Sequence, residues 1–214
     1  MTDYKDSSGK RLTDYPRPSV AVDTAVLTVS DGQLCVALIE TGGGRHRLPG
    51  TFLHEAETLA DAVRRSLKDK AGIRGLAPTQ LHVFDALDRD DRGWVLSVAH
   101  SVVVRAASLV GVSVRPVDDA TGLAYDHDEI VRLAVARLRD DYRAGPDPFG
   151  LLGEHFTLNE LQRLHEAIDS KTPRRDTFRR SMVSKLEETG ALQIGTVGKP
   201  ARLFRRIALR DSLR

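Results

Sequence analysis

The chain has 214 residues, 41% of them hydrophobic and 29% charged, with a formal net charge of +2, the composition of a globular protein able to bury a core. A single cysteine, Cys35, excludes a disulfide framework and a cysteine-based metal site within the chain, which suits a reducing cytoplasm, and no apolar stretch nears the roughly 18 residues of a membrane span. The charge is uneven: residues 1–150 carry 19 basic and 22 acidic side chains, whereas 171–214 carry 12 against 4, so a mildly acidic body bears a basic tail suited to a polyanion.

Residues 1–18 are polar and predict a disordered lead-in without a signal-peptide core. Val20–Val29 and Leu34–Glu40 predict two strands around the hairpin turn Ser30-Asp31-Gly32, with Cys35 a small buried hydrophobe in the second. A glycine-rich loop follows, Thr41 to Arg47. Leu59, Val63 and Leu67 recur every four residues and predict a helix from Thr58 to Ala71, stopped at Gly72. Leu81–Leu87 and Val95–Arg105 predict further strands flanking the charged turn Asp88 to Gly93, with Leu109–Val117 extending the sheet and Asp128–Tyr142 a second helix. Gly145-Pro146-Asp147-Pro148 breaks the chain. Beyond it, Thr157 and Glu160 have the spacing of a capping box and open a helix with Leu158, Leu161, Leu164 and Ile168 inward. Thr172-Pro173 interrupts, a second helix is expected from Asp176 to Thr189 closing at Gly190, and two short strands, Ala191–Ile194 and Leu203–Leu209, flank a turn over 195–201. The pattern is a mixed α/β domain over 19–145, then helix–turn–helix–hairpin over 150–214, the order of a winged helix.

Within the first unit, the stretch from Pro49 to Ile73 resembles the Nudix box, G-x5-E-x7-R-E-U-x-E-E-x-G-U with U aliphatic. Aligned on Glu57, the chain keeps Glu57, Arg65, Leu67, Gly72 and Ile73 and departs at Thr51, Ser66, Asp69 and Lys70. Positions 66, 69 and 70 are spaced i, i+3, i+4, which places them on one helix face. In the family that face binds divalent cations, which need several oxygen ligands; here it offers a hydroxyl, one carboxylate and an ammonium. The resemblance therefore implies an α/β/α sandwich with a mixed sheet that binds a nucleotide without cleaving it, with no catalytic residues and no metal. The alternative is an active hydrolase of the ADP-ribose pyrophosphatase type, with a basic accessory domain and substitute carboxylates among Glu55, Asp69, Asp85 and Asp88. Candidate ligand-binding residues are Arg45, Arg47, Glu57 and Asp69; the two arginines adjoin glycines whose backbone N–H groups suit phosphate. His46 and His54 read as surface residues, since no second ligand recurs at a metal-site spacing.

In the C-terminal unit, Phe178, Met182 and Leu186 predict the buried stripe of the second helix, leaving Arg174, Arg175, Thr177, Arg179, Arg180 and Lys185 for DNA, with Lys199 and Arg202 on a wing. Phe156 to Gln162, Phe178-Arg179-Arg180 and Gly198 to Phe204, with Tyr125 to Ile130 earlier, resemble the Nudix-related transcriptional regulators of the NrtR family. The resemblance implies a cytoplasmic homodimeric repressor of NAD-related metabolism genes that binds double-stranded operator DNA. It also implies ADP-ribose or a related NAD metabolite as effector, with no cofactor required.

Overall fold

The computed structural model describes residues 4–193 and 200–207. Residues 4–18 contain a hydrogen-bonded turn between Asp6 and Lys10 and a 3-10 turn at Leu12–Asp14 with no buried side chain in it. The first unit contains β1 (Ser19–Ser30), β2 (Gln33–Thr41), β3 (Arg45–Arg47), β4 (Gly50–Phe52), α1 (Leu59–Ala71), β5 (Thr79–Phe84), β6 (Val95–Val103), β7 (Ser113–Pro116) and α2 (His127–Ala144). The second contains β8 (Phe156–Thr157), α3 (Leu158–Ile168), α4 (Arg175–Met182), β9 (Leu186–Gln193) and β10 (Ala201–Arg206).

The seven-stranded sheet runs β3-β2-β1-β6-β5, with β4 added to β1 and β7 to β2. It is mixed: β1 and β6 are parallel in continuous register from Ser19↔Val95 to Leu27↔Val103, and the remaining pairs are antiparallel. The eight residues from Ala21 to Thr28 of β1 are all buried, as expected of a central strand covered on both faces. Val22 and Val26 pack with Ala62, Val63 and Leu67 of α1; Ala25 and Leu27 pack with Ile130, Ala134 and Leu138 of α2. This is the α/β/α sandwich that the sequence predicts. Thr58 caps α1, and Gly72 ends it at φ +66, a left-handed turn natural to glycine.

Several boundaries differ from expectation. Strand β5 ends at Phe84 rather than Leu87, and Leu87 is 81% exposed because the chain has already left the sheet. Only Ser113–Pro116 of the expected Leu109–Val117 strand joins the sheet, along β2. The largest correction is α4, which stops at Met182; a 3-10 turn follows, and Leu186 opens a strand instead of continuing a helix to Thr189. Leu186 is buried in either conformation, so the four-residue spacing could not distinguish them. The cross-strand pairs Glu187–Arg205 and Glu188–Arg202 add to the antiparallel ladder with β10 and override local helix preference. Gly190 is not a helix stop; it sits at φ +76 where the β9–β10 register shifts, as in a glycine bulge.

The second unit has its own core of Phe156, Leu161, Phe178, Met182, Leu186 and Phe204, and its predicted capping box forms in full between Thr157 and Glu160. It does not hang from a linker. Leu164 and Ile168 of α3 belong to the same buried cluster as α2 and the sheet. Asp147, expected only to break the chain, is fully buried: it accepts from the Tyr142 hydroxyl (2.8 Å), the Leu151 and Leu152 N–H groups (2.8 and 2.9 Å) and Arg206 (2.6 Å).

Candidate functional site

Helix α1 and strands β1 and β4 wall a cleft in the first unit. On its floor Asp23 of β1 is buried, accepts from the Ser97 hydroxyl at 2.6 Å and lies 3.7 Å from Arg89. The Leu48 N–H donates to His127 Nδ1 at 2.9 Å, so the ring proton sits on Nε2, which faces Asp23 at 3.3 Å. Burial pushes the Asp23 carboxyl up, but His127, Ser97 and Arg89 outweigh it and hold it below the usual range. Gly50 is required beside it: a Cβ there would stand 1.9 Å from Asp23 Oδ1 and 2.9 Å from the Val22 carbonyl. Only a glycine lets β4 pair with β1 over that carboxylate.

Four cations line this cleft: Arg47, Lys70, Arg89 and Arg92. Arg89 is almost wholly buried and grips Asp126 through two bonds of 2.8 and 2.6 Å. Arg92 holds Asp90 in the same bidentate way, at 2.8 and 2.7 Å, which brings the Asp90 carboxyl down to about 2. Its guanidinium also lies over the rings of Phe52 and Tyr125, at 5.2 and 5.3 Å, a cation–π arrangement. Tyr125 has φ +60, an uncommon conformation for a bulky residue. Arg47 and Lys70 make no ion pair among the described residues. The Lys70 ammonium donates instead to the Gly50 carbonyl, and burial, then the Arg47 charge, holds its pKa below the ordinary lysine value.

The motif residues divide between the cleft and its frame. Arg65 clasps Glu57 with two bonds of 2.8 Å and also donates to Thr51 Oγ1 (3.1 Å) and the Phe52 carbonyl (2.9 Å). The pair therefore fastens the loop and β4 to α1. Both Glu57 oxygens are engaged, its carboxyl is lowered to about 2 by Arg65, and it does not line the cleft. Of the four expected ligand-binding residues, only Arg47 lines it; Arg45 and Asp69 are exposed outside it. The three helix positions have different surroundings. Ser66 is buried under the sheet with its hydroxyl unpartnered, Asp69 faces solvent, and Lys70 alone reaches the cleft, because one helix turn spreads 66, 69 and 70 across the edge of the buried stripe. Sequence reasoning missed Asp23, Arg89, Asp90, Arg92 and His127. The charged turn and the Tyr125-Asp126-His127 segment were visible, but only the fold brings them together.

The second candidate surface is α4. Arg174, Arg175, Thr177, Arg179 and Arg180 are exposed, and none of the four arginines makes an ion pair among the described residues. Arg175 and Arg179 line a polar groove with Asn159 of α3 and Arg202 of β10. Arg202 pairs with Glu188 at 3.2 Å. Lys185 is drawn away from this face: its ammonium donates to the Ala144 carbonyl at the end of α2 (2.7 Å), because the chain has left the helix by then. Lys199 lies outside the described residues.

Residues 148–206 match the family profile of the NrtR DNA-binding winged helix domain. The chain is 31% identical over 217 residues to the ADPR responsive transcriptional repressor NtrR of Acinetobacter baylyi, covering 93% of this chain and 86% of that one. Among solved structures it is similar to Shewanella oneidensis NrtR complexed with a 27mer DNA, at 30% identity and a TM-score of 0.74, covering 88% of this chain and 93% of that one. The NUDIX domain of the same Shewanella protein, complexed with ADP ribose, matches at 27% identity and a TM-score of 0.53, covering 61% of this chain and 95% of that one.

Proposed function

The chain belongs to the NrtR family, and from that premise we propose that it is a transcriptional repressor of NAD-related metabolism genes whose cleft senses ADP-ribose or a related nucleotide. The observation that carries this reading is the path of α2. Its first turn supplies His127 to the cleft, and Asp126, just before it, holds Arg89 there. Its last turn supplies Tyr142, whose ring meets His165 of α3 at 5.0 Å, and His165 meets Phe178 of α4 at 4.9 Å. Helix α2 thus connects the cleft, through His165 of α3, to the arginine-bearing helix.

In this reading α4 enters the major groove, and Arg174, Arg175, Thr177, Arg179 and Arg180 contact bases and phosphates, with Lys199 and Arg202 on the wing. Two protomers grip half-sites about 34–36 Å apart. The ligand releases the operator by binding one arrangement of the two reading heads more tightly than the other. The cleft binds without hydrolysis, since Ser66 and Lys70 stand where the family places metal-binding glutamates and Asp69 is exposed outside the cleft lining.

A mobility shift against the protein's own upstream region, with and without ADP-ribose, tests the reading. Binding that weakens with ADP-ribose is expected; an unchanged shift would remove ADP-ribose as effector. Magnesium-dependent turnover of ADP-ribose without operator binding would establish the hydrolase alternative. Arg179→Ala should weaken operator binding more than Arg64→Ala, whose arginine lies on α1 paired with Asp61. It should also reduce the log–log salt slope by about 0.9 if one phosphate contact is lost.

A further inference from the structure

The cleft's four cations fall into two kinds. Arg89 and Arg92 are each neutralised by a bidentate carboxylate, Asp126 and Asp90, and serve the frame. Arg47 and Lys70 have no carboxylate partner among the described residues, and Arg47 Nε is buried with no hydrogen-bond partner at all. The acceptor that Lys70 does have, the Gly50 carbonyl, is neutral and leaves two ammonium protons to donate. Leaving cations unneutralised inside a partly buried cleft is costly unless an anion arrives.

The same residues do not fit the divalent cation that the fold family implies. A magnesium ion needs near-octahedral oxygen coordination, with one or two free carboxylates beside substrate phosphate. The Asp23 carboxylate accepts from Ser97 and is flanked by His127 at 3.3 Å and Arg89 at 3.7 Å, and Asp90 is held by Arg92 through two bonds. Among the described residues no group of three or more His, Cys, Asp or Glu could hold a metal ion. Lys70 itself brings a positive charge to the cleft wall, and a divalent ion beside it would be repelled.

Resting on the reading of the cleft as a nucleotide sensor, we propose that Lys70, with Arg47, is a tethered replacement for the metal. The two side chains form a diphosphate subsite that binds its ligand without any divalent cation. The ammonium swings from the Gly50 carbonyl to a phosphate oxygen, exchanging a neutral acceptor for a charged one and gaining a stronger hydrogen bond. Arg47 supplies the second donor group.

Calorimetric titration of the full chain with ADP-ribose, in magnesium and in EDTA, tests this. Affinity should agree within about twofold between the two buffers. Lys70→Gln should weaken it roughly tenfold or more, the scale of a charge-assisted hydrogen bond, and Lys70→Arg should restore most of the loss. Circular dichroism checks that each variant is folded. Binding that collapses in EDTA, or a folded Lys70→Gln variant that binds like the parent, overturns the proposal. If the parent gives no heat with ADP-ribose in either buffer, the effector reading fails, and inorganic pyrophosphate becomes the probe. Lys70-dependent pyrophosphate binding in EDTA would then still support the subsite, and its absence would end it.

Discussion

The two ends of α2 are built differently. At its start Asp126 and His127 meet Arg89, Asp23 and the Leu48 amide in a polar cluster that opens onto the cleft, and the Asp126 side chain keeps 20% of its exposure. At its end Tyr142 is sealed between aromatic rings and the fully buried Asp147, and the Leu151 and Leu152 amides and Arg206 close the remaining valences. Arg143 adds a bond of 2.7 Å to Asp169, just past α3. A polar, half-open end can exchange partners when a ligand enters, whereas a sealed end has no slack and moves its neighbours with it. Substitutions at the sealed end should therefore cost stability first, and those at the open end should cost ligand response first.

The largest effect is expected at Asp147. Its φ of +45 lies in the left-handed region, which Asn tolerates as Asp does, so Asp147→Asn removes the charge with little backbone penalty. Removing one member of a buried ion pair costs about 3–5 kcal/mol. Arg206 keeps 28% of its side-chain exposure, which reduces the expected loss to about 2–3 kcal/mol. Urea unfolding measures it, and a loss below about 1 kcal/mol would mean that the joint is not sealed.

Next comes His165, buried between Tyr142 and Phe178 with Nε2 unpartnered. Burial pulls its pKa down to about 4, against a smaller opposing effect of the Asp147 charge. Between pH 6.5 and 4 the unfolded chain therefore holds the proton and the folded chain does not. The stability from a neutral His165 is complete above pH 6.5 and is lost as pH falls towards 4. At pH 5 the loss is of the order of 2 kcal/mol, from about 1.4 kcal/mol per unit. His165→Gln should flatten the stability profile between pH 7.5 and 5 relative to the parent. Parallel profiles would place the titration elsewhere.

How much of this was legible in the sequence depended on how the contacts are spaced. The Thr157–Glu160 capping box and the Glu57–Arg65 clasp join residues three and eight apart, and motif spacing is enough to find them. Arg89–Asp126 spans 37 residues and Asp147–Arg206 spans 59, so no local pattern reports them. Asp147 was hidden further by its Gly-Pro-Asp-Pro setting, which reads as a break in the chain because prolines suppress regular structure without disclosing burial. Lys70 was visible as a departure from the motif, but only the fold shows its ammonium on the Gly50 carbonyl. The end of α4 was illegible for another reason: the spacing of Met182 and Leu186 satisfies a helix and a helix-to-strand turn equally well.

The smallest effect on stability is expected at the open end, where the comparison is sharpest. Asp126→Asn removes the bidentate partner of Arg89 and leaves that guanidinium with Asp23 at 3.7 Å. Arg89 is almost wholly buried, but Asp126 is partly solvated and Asp23 still faces the guanidinium, so the stability cost should be about 1–2 kcal/mol, below that at Asp147. The functional cost should be larger than the stability cost. Arg89 freed from Asp126 competes for Asp23, which disturbs the His127 contact through which the cleft meets α2. ADP-ribose affinity and the ligand-induced release of operator should both fall. An Asp126→Asn protein that loses as much stability as Asp147→Asn, or that responds to ADP-ribose like the parent, would show that the two ends of α2 are not specialised.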